Sequence, residues 1–104
     1  MGRSPQYATL TGSVVTTFTL DAKAGCDSVR VITDGSSSSR LYFTADGSVP
    51  TVDGIGVYCL LGGQAGRRTV TVPDWTNKGT GPATVKCLSA GTPWVMVEAV
   101  PAGS

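Results

Sequence analysis

Apolar and polar positions alternate with a period of two along most of this chain. Val14, Thr16, Phe18 and Leu20 interleave with Val15, Thr17 and Thr19, the signature of a half-buried strand. From Asp27 to Thr33, Val29 and Val31 share one face while Arg30 and Ile32 take the other. Arg40 to Thr44 is a run of aromatic and branched residues that suits a pleated surface. Val57 to Leu61 reads as a further strand. Arg67 to Val72 turns Val70 and Val72 inward. Ala83 to Ser89 sets Val85 and Cys87 against Thr84, Lys86 and Leu88. Trp94 to Val100 sets Val95 and Val97 against Trp94, Met96 and Glu98. No segment carries a helical apolar period of useful length.

Breakers punctuate these runs. Gly12 splits off a short first strand or marks a bulge. Asp34-Gly35 followed by four serines forms a polar loop, and it predicts a hairpin between Asp27–Thr33 and Arg40–Thr44. Ala45-Asp46-Gly47-Ser48, closed by Pro50, is a tight reversal in which Asp supplies a side-chain acceptor and Gly a left-handed position. Pro73 to Pro82 is a long loop carrying Trp75. Turn signals recur about every ten residues, and about seven to eight short strands so spaced predict a single all-β domain, an Ig-like antiparallel β-sandwich. Residues Met1 to Tyr7, interrupted by Pro5, read as an extended N-terminal arm, and residues 8–104 as the sandwich.

Composition narrows the function classes. The length of 104 residues fits one domain. Charged residues make up 14% of the chain, against about a quarter in ordinary globular proteins, and neutral faces of this kind suit contacts within an assembly. The net charge is +1, and Arg67-Arg68 is the sole basic doublet. No nucleic-acid partner is therefore expected. No apolar run approaches the roughly 18 residues of a membrane helix, and the N-terminus lacks the apolar core of a signal peptide. No membrane partner is expected either.

Candidate chemistry is sparse. The chain has no histidine, which removes the commonest general base and metal ligand. Cys26, Cys59 and Cys87 lack zinc-ligand spacing and read as reduced, partly buried thiols. Asp34, Asp46, Asp53 and Asp74 stand beside Gly or Pro, where turn chemistry accounts for them. Asp46, Ser48 and Asp53 could hold calcium, but lack the spacing of a helix-loop-helix calcium loop. Gly54-Ile55-Gly56 is an isolated glycine pair without a following helix. The expectation is a non-enzymatic protein with no catalytic residue, cofactor or metal. Phe18 and Phe43 are assigned to the core. Trp75 is either a lid folded onto that core or an exposed contact. Arg3 and Tyr7 on the arm, with Trp75, Asn77 and Lys78 in the long loop, are the interface candidates.

Two resemblances converge on Leu41 to Thr51. Leu41, Tyr42, Phe43, Thr44, Asp46, Gly47, Ser48, Pro50 and Thr51 resemble the strand–turn text of the chitobiase C-terminal type β-sandwich, a module that accompanies glycoside hydrolases. The motif is structural there and implies no binding residue. Along nearly the whole chain, Val29-Arg30-Val31, Leu41 to Gly54, Arg68 to Pro73, Val85 to Pro93 and Val95-Met96-Val97-Glu98 resemble small β-rich virion proteins of tailed phages of actinobacteria. The long Trp75 loop and the three cysteines depart from that pattern. The resemblance implies a head decoration, or capsid cement, protein made in the host cytoplasm and placed on the capsid surface. It implies the major capsid protein as partner, with further copies of the chain as a second possible contact. A carbohydrate-binding or host-adhesion module, stacking sugars on Trp75 and on Tyr42 or Tyr58, is the alternative, and a tail or connector component a third.

Overall fold

The computed structural model describes residues 6–21, 25–52, 54, 57–72, 75 and 82–101. Eight strands follow in chain order: β1 (Gln6–Thr9), β2 (Thr16–Leu20), β3 (Cys26–Thr33), β4 (Leu41–Thr44), β5 (Tyr58–Leu60), β6 (Gly66–Thr71), β7 (Ala83–Ser89) and β8 (Trp94–Pro101). They form two four-stranded antiparallel sheets, ordered β1-β8-β3-β6 and β2-β7-β4-β5. The β1 strand begins at Gln6, so the last two residues read as arm belong to a sheet; the rest of that stretch lies outside the described residues.

The pairing has a simple generator. β1 pairs with β8, β2 with β7, β3 with β6 and β4 with β5. These are the rungs of one long antiparallel ribbon, the first strand against the last and so on inward. The ribbon then folds over itself, joining β3 to β8 and β4 to β7. This is jelly-roll order. The expected two-sheet antiparallel sandwich is present, but its connectivity is not that of an immunoglobulin domain, whose first two strands share a sheet; here β1 and β2 lie in opposite sheets.

The hairpin expected between β3 and β4 is corrected for the same reason. β4 lies between β7 and β5, and residues 34–40 cross from one sheet to the other. This seven-residue serine-rich segment is long enough for that crossing, and its neighbours hold it. Gly63 N donates to Ser37 O at 2.7 Å, and Trp94 N donates to Ser36 Oγ at 3.3 Å. Gly35 sits at φ 76°, and a Cβ there would meet the Gln64 carbonyl carbon at 2.4 Å. The glycine is thus required both by its left-handed backbone and by close approach.

Alternation fills the core. Val29, Val31, Val95 and Val97 of the first sheet face Phe18, Leu20, Leu41, Phe43, Val85 and Cys87 of the second, and all are buried. Each such aliphatic or aromatic side chain contributes about 1.5–3 kcal/mol on leaving water. Leu10 closes one end, its N–H donating to Pro93 O at 2.9 Å. Trp75 closes the other beside Val72, whose carbonyl accepts from Trp75 N at 3.0 Å.

One row crosses the whole first sheet: Gln6, Val97, Val31 and Arg68. Its two central valines are fully buried. Its two polar ends reach over to the other sheet. Gln6 Nε2 donates to Thr19 O at 2.7 Å, and the Arg68 guanidinium lies over the Tyr58 ring. The open sides of the sandwich are thereby closed by polar side chains on otherwise inward positions, with their apolar stems inside and their heads in water.

Candidate functional site

Two surfaces stand out, one on each sheet. On the outer face of the first sheet the register sets Tyr7, Met96, Ile32 and Arg67 in one row, with Thr9 and Trp94 in the next. Outward positions of a solvated sheet are ordinarily polar. Here Tyr7, Trp94, Met96 and Ile32 make an apolar strip over three adjacent strands. Tyr7 is 67% exposed, and its ring centroid lies 6.2 Å from that of Trp94, tilted by 34°. A polar row borders the strip. Arg30 Nη1 pairs with Glu98 Oε1 at 3.1 Å, and Arg30 Nε donates to Thr69 Oγ1 at 3.3 Å. The ion pair is partly exposed and adds little stability, but it neutralises the border of the face.

The second surface is a groove of about 440 Å³ on the outer face of the second sheet. Tyr42, Leu88 and Val52 give it apolar walls, and Arg40, Ser13 and Ser39 stand around them. Tyr42 and Leu88 are register partners on β4 and β7. Val52 comes from the segment after β4, which folds back across the sheet: Thr44 Oγ1 donates to Ser48 O, and Pro50 is buried.

The interface candidates fare differently. Tyr7 is exposed and joins the strip. Trp75 is corrected from an outer-loop contact: it is 4% exposed and packs in the core. Its chain position beyond β6 hid this, because burial there depends on the end of the sandwich needing an apolar plug. Arg3, Asn77 and Lys78 lie outside the described residues. Of the aromatic residues suited to sugar stacking, Tyr42 is buried and Tyr58 is half-buried beneath Arg68. Trp94, Met96 and Ile32 were not singled out as surface residues. The signal available was that outward positions in β3 and β8 are apolar; their adjacency to Tyr7 depends on the first and last strands pairing.

The turn residues are occupied locally. Asp46 Oδ1 accepts from Ser48 N at 3.0 Å and from Ser48 Oγ, and these bonds hold its carboxyl below the usual carboxylate range. Asp34 is lowered in the same way by the Ser36 hydroxyl and N–H. Asp53, the third member of the weighed calcium set, lies outside the described residues. Among the described residues no three His, Cys, Asp or Glu side chains group to hold a metal ion. Cys26, Cys59 and Cys87 are all free thiols, and burial pushes the Cys87 thiol up to about 12.

No family model, no curated protein and no solved structure matches this chain.

Proposed function

We propose that this protein is a non-enzymatic phage virion component, a capsid decoration or cement protein that docks on the shell and ties neighbouring major capsid protein subunits together. The observation that carries the reading is the apolar strip of Tyr7, Trp94, Met96 and Ile32 on an outward sheet face, with Arg67 at the end of its row. Aromatic residues and Met are enriched in the cores of protein interfaces, and charges are depleted there. The sequence resemblance to actinobacterial phage virion proteins supports the same reading. Jelly-roll order adds an analogy of fold alone, because capsid and lectin domains share it.

The mechanism is additive burial. Each copy binds the assembled shell and not the dissociated subunit, so it stabilises the shell by mass action. A few kcal/mol per copy suffices when the contact repeats over a lattice. The test is thermal disassembly of shells with and without the protein, and with Tyr7→Ala or Met96→Asp. Shells carrying the wild-type chain disassemble at higher temperature, and either variant lowers the gain. Shells indifferent to the protein overturn the reading. Retention on a polysaccharide column that is lost in Tyr7→Ala would instead favour the sugar-binding alternative, with Tyr7 and Trp94 in place of the buried Trp75.

A further inference from the structure

The groove on the second sheet faces away from the proposed docking strip, and its chemistry is different. Its floor is apolar, built by Tyr42 and Leu88 side by side on β4 and β7, with Val52 as a projecting wall that is 64% exposed. Among the described residues, Arg40 is its one charged lining residue and no carboxylate lines it. Among the described residues the ion pair is Arg30–Glu98, and Arg40 makes none. An arginine lining an apolar cleft with no acidic partner among the described residues is complementary to an anion, and its planar fork matches a carboxylate. Ser13 and Ser39 line the same groove.

The groove is also built at a conformational cost. Ser13 sits at φ 59°, a left-handed backbone in a residue that is not glycine. It is held there by neighbours: Ser13 N donates to Ser89 O at 2.7 Å, and Val14 N donates to Thr11 O at 3.1 Å. Backbone strain of this kind gathers at ligand clamps. The volume falls within the range of small-molecule sites and is small for a docked protein segment.

We infer that the groove binds a small amphipathic carboxylate, its apolar body against Tyr42, Leu88 and Val52 and its carboxylate on Arg40. The site is independent of the shell contact, because it lies on the other sheet. Binding here with no effect on shells overturns only the docking reading, and the reverse result overturns only this one.

The test titrates the full chain, isotopically labelled at backbone nitrogen, with phenylbutyrate and with phenylbutanol, followed by amide chemical shifts. The acid moves the amides of Ser13, Tyr42, Leu88 and Ala90 and binds about ten-fold more tightly than the alcohol, as one charge-assisted pairing predicts. Arg40→Gln removes that preference. Arg40 is exposed, so the variant folds, which its unchanged spectrum outside the groove verifies. Val52→Asp abolishes binding of the acid by setting a like charge in the cleft. Equal binding of acid and alcohol, retention of the preference in Arg40→Gln, shifts confined to other surfaces, or no shift with either probe overturns the inference.

Discussion

The guanidinium carbon of Arg68 lies 4.9 Å from the centroid of the Tyr58 ring, joining the edge strands β6 and β5 of opposite sheets. Tyr58 in turn stacks on Phe43 at 5.3 Å, so the arginine covers a path into the core. A cation over an aromatic ring at a partly exposed site contributes about 0.5–1 kcal/mol, and lost cover adds to it. Arg68→Ala is expected to lower unfolding free energy by about 1 kcal/mol in denaturant titration. Arg68→Lys should lose less than Ala, since it keeps the charge but not the planar stack. An unchanged midpoint in Arg68→Ala would show that the contact contributes nothing.

Gly35 and Gly47 share positive φ but differ in surroundings. At Gly47, φ 85°, the nearest atom to an added Cβ is Thr84 Cβ at 3.9 Å. Gly47→Ala is therefore expected to cost only the left-handed backbone term, about 1–2 kcal/mol. Gly35→Ala adds a clash with the Gln64 backbone and should cost well over twice as much, or prevent folding. Comparing thermal midpoints of the two variants tests this, and similar losses in both would refute it.

The Asp46 carboxyl is held low by the Ser48 hydroxyl and N–H. A carboxyl whose folded pKa lies below its unfolded value adds stability above the unfolded value, ordinarily 3.8, and loses it as pH falls through the folded one. Asp46→Asn should therefore be less stable than wild type near neutrality, with the gap narrowing as pH drops below that value. The measurement is a series of denaturant midpoints against pH. A gap that is constant with pH would assign the loss to geometry alone.

Cys87 is the opposite case, a thiol raised from 9.0 to about 12 by burial. Its contribution is complete below the unfolded value and is lost as pH rises from there through the folded one. Stability should accordingly decline above about pH 9, and less so in Cys87→Ala measured against its own neutral value. In the native protein a thiol reagent should label the half-buried Cys26 and Cys59 long before Cys87, which becomes reactive on unfolding. Rapid labelling of Cys87 in the native state would contradict its burial.

The strands were legible because alternation is a local signal. Val29 and Val31, or Val95 and Val97, declare a buried face without reference to any partner. The sheet to which each strand belongs was not legible. The Asp34–Ser39 loop has the residues of a hairpin, and the crossover it makes instead is fixed by Gly62-Gly63 and by Trp94, which are remote in sequence. The surface strip was half legible: Tyr7 is a conspicuous aromatic outside any core pattern, but its neighbours Trp94 and Met96 lie at the far end of the chain. Trp75 was readable as a lid or as a contact, and only the apolar plug that the sandwich end requires decides between them.

The place of β8 has a consequence for synthesis. It lies between β1 and β3, so the first sheet has no continuous middle until the last strand has left the ribosome. The second sheet draws on β2, β7, β4 and β5 and can assemble earlier. A nascent chain ending before Trp94 would leave the backbone edge of β3 unpaired and β1 without a sheet. Such a chain, with that edge open, is a substrate for chaperones or proteases until Trp94–Pro101 pairs between β1 and β3.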